Sequence, residues 1–206
     1  MHALIVVAHP DQGSLTHSVA RHLAEGVAQP GEGHSVEIAD LSDEGFKPEF
    51  TLTDLAVHRR DVPIPADVAT EQARIDRADA LVLVFPVHWW SMPALLKGWV
   101  DRVFSNGWAY DEGPDIKSVK KLRHLKVHLV GLGGASASTY ERRGYRDAMT
   151  TQIDHGIFDY CGARVVTSEL LLGSEAAEVA LHLETARRIG RDLFTIRSDQ
   201  VTQAAA

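Results

Sequence analysis

Residues 80–104 constrain the fold more than any other part of the chain. Ala80-Leu-Val-Leu-Val-Phe85 is a continuous apolar run, the pattern of a strand buried on both faces, and such strands belong to parallel sheets covered by helices on either side. Pairing is expected to end at Pro86, which has no N–H to give to a central ladder. Pro93 is expected in the first turn of the next helix, where the missing N–H costs little. That helix carries Leu95, Leu96, Trp99, Val100 and Val103 with amphipathic spacing, so Trp99 reads as core. His88-Trp89-Trp90 is not explained in that way, because loops run over the surface. A strand-to-helix loop with this many flat groups is a place to lay down a planar ligand.

The same alternation runs along the whole chain. Strands are expected at 3–8, 35–40, 80–85, 125–132 and 164–172, and helices at 14–27, 94–104, 145–160 and 175–196. Residues 43–67 are proline-bearing and only partly helical, and 66–77 lead into the third strand. Five apolar strands separated by helices predict an α/β protein with a doubly wound parallel sheet, which binds ligands beyond the carboxyl ends of its strands. The candidate site is therefore the set of loops after strands one, three and four.

Composition bounds the rest. With 206 residues, 45% of them apolar, and no glycine- or serine-rich linker or internal repeat, one domain is expected over residues 1–197, followed by a flexible tail at 198–206. A net charge of −7 argues against a nucleic-acid partner, and the short basic run Lys117–Arg123 reads as a solvated face. No apolar segment approaches ~18 residues, so no transmembrane segment and a cytoplasmic location are expected. The single Cys161 fits a reducing compartment and reads as core filler. The 11 histidines show no metal-ligand spacing, and no G-x-S-x-G elbow marks a serine nucleophile.

The three loops have compatible chemistry. His9-Pro-Asp-Gln-Gly-Ser14-Leu15-Thr16 opens a helix, whose free N–H groups and partial positive charge, joined by the Ser14 and Thr16 hydroxyls, make a phosphate cradle without lysine. Ser14 acting only as an N-cap is the competing reading. Gly131-Leu-Gly133-Gly134 permits close backbone approach to a flat ring, and the chain lacks the G-x-G-x-x-G spacing of a dinucleotide-binding Rossmann unit. One phosphate pocket, one ring-stacking wall and one backbone wall suit a flavin.

Taken together, Ala8-His9-Pro10 with Ser14, Gly45-Phe46-Lys-Pro48, Phe85-Pro86-Val-His-Trp89-Trp90, Met92-Pro93-Ala-Leu-Leu-Lys97-Gly98-Trp99-Val-Asp101-Arg102-Val-Phe104, Gly107-Trp108-Ala109-Tyr110, Tyr140 and Tyr160-Cys161-Gly162 resemble the flavodoxin-like NAD(P)H:quinone oxidoreductases. The potassium-efflux ancillary flavoproteins are close cousins, and the resemblance spans roughly residues 3–195. It implies a flavodoxin-like fold and a homodimer with a flavin at each of two interface sites. His9, Ser14, Leu15 and Thr16 would hold the flavin phosphate; Pro86, Val87, His88, Trp89 and Trp90 would line the ring and its ribityl chain; Gly133 and Gly134 would meet its polar edge. Trp108 and Tyr110 would be pocket aromatics that cross the interface. Glu184 and Arg187 stand where FAD-carrying members reach the adenosine half, so FAD is expected, with FMN the alternative; the same spacing is also that of an ordinary surface pair on a helix.

The resemblance further implies ping-pong hydride transfer from NADH or NADPH to a quinone or similar acceptor, both using one flat pocket. Tyr140 matches the tyrosine that stabilises charge on the reduced flavin, and Arg146 stands where the family's histidine partner falls. An ancillary protein of a potassium-efflux transporter and a flavodoxin-type electron carrier are the rival functions. The bulky aromatic loop and the segment 107–115 oppose the carrier reading.

Overall fold

The computed structural model describes residues 1–113 and 116–195. The chain begins in β1 (His2–Val7), crosses α1 (Leu15–Val27) to β2 (Ser35–Asp40), and passes α2 (Leu52–His58) and α3 (Ala66–Asp76) into β3 (Ala80–Pro86). It continues through α4 (Ala94–Val103), the strands β4 (Tyr110–Gly113) and β5 (Ile116–Lys120), β6 (Lys126–Gly133), α5 (Ala137–Arg142), α6 (Tyr145–Met149), β7 (Arg164–Leu172) and α7 (Ala176–Asp192). The main sheet is parallel with strand order β2-β1-β3-β6-β7. The chain first winds outward from β1 to β2 and then returns to the other side of β1 with β3. The winding direction thus reverses between β1 and β3, the place where such sheets open a crevice.

Alternation along the strands divides the core into two layers. Leu4, Val6, Leu81, Leu83 and Phe85 pack with Leu96, Trp99 and Phe158 on one face. Ala3, Ile5, Val7, Val82 and Val84 pack with Val19, Leu23 and Ile189 on the other. β3 is buried on both sides because it lies at the centre of the sheet between β1 and β6. α1 and α7 approach closely through glycines: a Cβ on Gly26 would strike the Arg187 carbonyl, and one on Gly190 would strike the Leu23 carbonyl. On the opposite layer Arg102 ties three segments together, bonding Asp54 at 2.9 Å, Asp67 at 2.7 Å and the Lys47 carbonyl at 2.8 Å.

Several expectations are corrected. Pairing runs one step past Pro86, because the Val87 N–H reaches the Leu132 carbonyl at 2.8 Å. Pro93 does stand at the start of α4, as its N-cap with extended backbone. The expected uninterrupted helix at 145–160 is α6 followed by a π-wound stretch, Thr150–Asp159. Part of the basic run at 117–123 belongs to β5, which pairs antiparallel with β4. The short helix α5, with Ser136 at its N-cap, has too few residues to show a periodicity. The expected tail at 198–206, and the last residues of the expected domain and helix, lie outside the described residues. Among the described residues no helix is long and apolar enough to cross a membrane.

Candidate functional site

The first component is the N-terminus of α1, placed at the carboxyl end of β1. Gly13 N–H donates to Asp11 Oδ1 at 2.8 Å, and Ser14 N–H to the Asp11 carbonyl at 3.1 Å, so the loop turns tightly into the helix. Ser14 caps it, accepting the His17 N–H at 3.3 Å. Capping and ligand binding are compatible here, because the Leu15 and Thr16 N–H groups remain in the unpaired first turn. Thr16 is 3% exposed, yet its hydroxyl has no hydrogen-bond partner among the described residues. His9 stands beside this turn, its Nδ1 accepting the Asp11 N–H at 3.0 Å.

The second component follows β3. His88 and Ser91 exchange both backbone hydrogen bonds at 3.1 Å, closing a two-residue turn over Trp89 and Trp90. Both tryptophans have positive φ, 50° and 60°, the type I′ pattern that normally takes Asn-Gly. Trp90 stacks on Tyr145 with centroids 3.7 Å apart and planes at 11°, and meets Tyr140 edge-on at 5.2 Å. Ser91 Oγ donates to Gln152 Oε1 at 2.5 Å, which anchors the turn to the π-wound stretch. Trp89 projects outward at 92% exposure.

The third component is the glycine loop after β6. Val87, Trp89, Trp90, Gly134, Ala135 and Tyr140 line a cleft of about 140 Å³. A Cβ on Gly134 would meet nothing, whereas one on Gly133 would collide with the Tyr140 hydroxyl and with Leu172. Tyr140 is almost fully buried and its hydroxyl has no partner among the described residues. Burial pushes its pKa up, while the nearby positive charge of Arg146 works against the rise. Arg146 itself lines a neighbouring cavity of about 80 Å³ with Asp154, Ser168 and Glu169, not the cleft that holds Tyr140.

The remaining sequence candidates are placed elsewhere in the chain. Trp108 donates from Nε1 to Asp76 at 3.1 Å and packs edge-on against Phe104. The Tyr110 hydroxyl lies 3.2 Å from His58 Nδ1, and its ring meets Tyr160. Glu184 bonds Arg191, and Arg187 bonds Glu25 rather than Glu184. Because Glu25 sits near the far end of α1, ~15 Å along the helix from Ser14, Arg187 is remote from the α1 N-terminus. Tyr145, which stands with Arg146 where the family's histidine falls, is the stacking partner of Trp90, and two residues that sequence reasoning did not place in the site, His17 and Asp40, lie behind Ser14. Periodicity gave no signal for His17, which stands well off the Leu15, Val19, Leu23 and Val27 stripe of the expected helix.

The sheet order and a crevice built from the loops after β1, β3 and β6 define a flavodoxin-like α/β protein with its ligand site at the switch point. A family model for the flavodoxin-like fold matches residues 1–191, and the chain belongs to that family, which includes the NAD(P)H:quinone oxidoreductases. It is 28% identical over 196 residues to NAD(P)H dehydrogenase [quinone] 1 of Cavia porcellus, covering 83% of this chain and 68% of that one. It superposes on the NAD(P)H:quinone oxidoreductase from Methanothermobacter marburgensis with a TM-score of 0.85 and 30% identity, covering 94% of this chain and 98% of that one. The general stress protein 14 of Treponema denticola, solved in complex with FMN, is 26% identical with a TM-score of 0.61, covering 92% and 95%.

Proposed function

We propose that this protein is a flavin-dependent NAD(P)H:quinone oxidoreductase. The observation that carries the reading is the convergence, at the ends of three adjacent strands, of an anion cradle, an aromatic wall and an open glycine loop. β1, β3 and β6 are neighbours, so cradle and cleft are separated by about two strand spacings, ~10 Å, which suits a ligand with a phosphate at one end and a flat ring at the other. The residues present fit a flavin: the Thr16 and Tyr140 hydroxyls are donors without a partner among the described residues, and the space over Gly134 admits a ring edge. When bound, the flavin supplies two-electron hydride chemistry between a nicotinamide donor and a quinone acceptor.

The chain's own residues then have distinct tasks. His9, Ser14, Leu15 and Thr16 hold the phosphate; Pro86, Val87, His88 and the two tryptophans hold the ring; Gly133 and Gly134 bring backbone to its polar edge. Tyr140 donates a hydrogen bond where negative charge grows, and Arg146 stabilises that charge from the adjacent cavity without giving up its proton. Donor and acceptor take turns in one cleft, in ping-pong order. NADH or NADPH serves as donor and FAD or FMN as cofactor; to reach an adenosine half, Glu184 and Arg187 would exchange their ion pairs with Arg191 and Glu25 for it. We place the enzyme in the cytoplasm as a homodimer. The partly exposed Phe50, Leu52, Leu55, Val62 and Ile64 form an apolar surface that a second copy would cover, bringing Trp108 and Tyr110 close to the subunit boundary.

An absorbance spectrum of the purified protein tests the reading. Flavin bands near one equivalent per chain, released as FMN or FAD by mass analysis, and a light-scattering mass of two chains are expected. Protein that is colourless and takes up neither flavin contradicts it.

A further inference from the structure

Ser14, His17 and Asp40 form a hydrogen-bonded chain behind the anion cradle that hydride transfer does not require. Ser14 Oγ lies 3.0 Å from His17 Nδ1, and His17 Nε2 lies 2.8 Å from Asp40 Oδ2. The other Asp40 oxygen accepts the Ser42 and Asp43 N–H groups at 3.1 and 3.2 Å, so the carboxylate is fixed at the end of β2 and its remaining acceptor faces the ring. A carboxylate can only accept, which puts a proton on Nε2. Everything then depends on Nδ1.

With Nδ1 bare, the Ser14 hydroxyl donates to the ring. Its oxygen also accepts the His17 N–H, so only a lone pair is left to face the cradle, and a phosphate oxygen is repelled there. With Nδ1 protonated, the ring donates to Ser14, and the hydroxyl proton is free to point at the phosphate. Ser14 is then fully satisfied, accepting two hydrogen bonds and donating one.

Resting on the flavin reading, we propose that His17, anchored by Asp40, is a positioning residue that couples phosphate binding at the α1 N-terminus to uptake of one proton. The other titratable groups around it come from the loops before α1 and after β2. The His9 ring stands edge-on with centroids 6.2 Å away; Asp11 is engaged by Gly13 N–H; Asp43 is engaged by Gln12 Nε2 at 2.7 Å. These partners leave Asp40 as the carboxylate in contact with the His17 ring. His17 is 7% exposed, so its ring is largely shielded from solvent. By reciprocity, a proton that strengthens phosphate binding is itself bound more tightly once phosphate is present.

The test is calorimetric titration of the full-length protein, freed of bound flavin, with FMN and with riboflavin, in buffers of different ionisation enthalpy near pH 7.5. The parent is expected to take up close to one proton per FMN and none per riboflavin, and its FMN affinity is expected to fall about tenfold from pH 6.5 to 8. His17→Gln is expected to abolish the uptake, and Asp40→Asn to reduce it by more than half. Should His17→Gln fail to fold, Asp40→Asn and the parent's comparison of FMN with riboflavin decide the matter. Equal proton counts for FMN and riboflavin, or for parent and folded variants, would overturn the coupling while leaving flavin binding intact. Failure of every form to bind either flavin would instead overturn the coupling together with the reading beneath it.

Discussion

The turn at Trp89 and Trp90 is where the chain departs most from local preference. A left-handed conformation costs an L-residue ~1–2 kcal/mol, and here two bulky aromatics adopt it in succession. Trp90 recovers ~0.5–1.5 kcal/mol from its stack on Tyr145, but Trp89 is 92% exposed and recovers little. The strain is compensated by the surrounding fold, and under the proposed function it serves the wall that would hold the ring. Trp89→Asn, which suits positive φ, is therefore expected to raise unfolding stability by about 1 kcal/mol and to weaken flavin retention. Urea denaturation and flavin titration read the two effects separately; a loss of stability would mean that the indole supports the fold.

At the level of elements, the glycines of α1 and α7 and those of the β6 loop serve different ends. Gly190→Ala gains up to ~1 kcal/mol of helix propensity but drives a Cβ into the Leu23 carbonyl, an overpacking that costs ~1–3 kcal/mol or more. A net fall in melting temperature of about 4 °C is expected, measured by thermal denaturation. Gly134→Ala meets open space and should melt like the parent while obstructing the cleft, so its flavin affinity should drop. Elements with a periodic signal were legible in the sequence: β2 and β7 have the expected bounds, and Ser14 stands at the expected start of α1. β4, β5 and α5 were not, because four to six residues of mixed polarity carry too little period. The loops that meet at the cleft could be named from motif and topology. Contacts between distant residues could not: Asp40 reaches His17 from 23 positions away, and Ser91 meets Gln152 across 61. Likewise the cavity chosen by Arg146 depends on how α6 and the π-wound stretch lie over β7, which no local pattern encodes.

For the whole molecule, acid stability should fall in two separate windows. His128 lies in β6 at 0% exposure, with Nδ1 3.1 Å from Thr167 Oγ1 and Nε2 without a partner among the described residues, and burial pushes its pKa down to about 4. The native state thus holds the ring neutral while the unfolded chain protonates it near 6.5, so stability is lost as pH falls from about 6.5 to about 4. Between pH 7.5 and 5 that loss is about 2 kcal/mol. The carboxylates act lower. Burial works to raise the pKa of Asp54 and of Asp67, yet hydrogen bonds, including those from Arg102, outweigh it and hold both below the ordinary 3.8; Arg74 does the same for Glu37 below 4.5. Their stabilisation is complete above those ordinary values and disappears as pH falls through the depressed ones. His128→Gln cannot titrate, so it should flatten the upper window and leave the lower one in place. Urea unfolding of parent and variant at pH 7.5 and 5 checks this: a parent loss of about 2 kcal/mol that the variant does not share is expected, and equal losses in the two would assign the upper window to some other group.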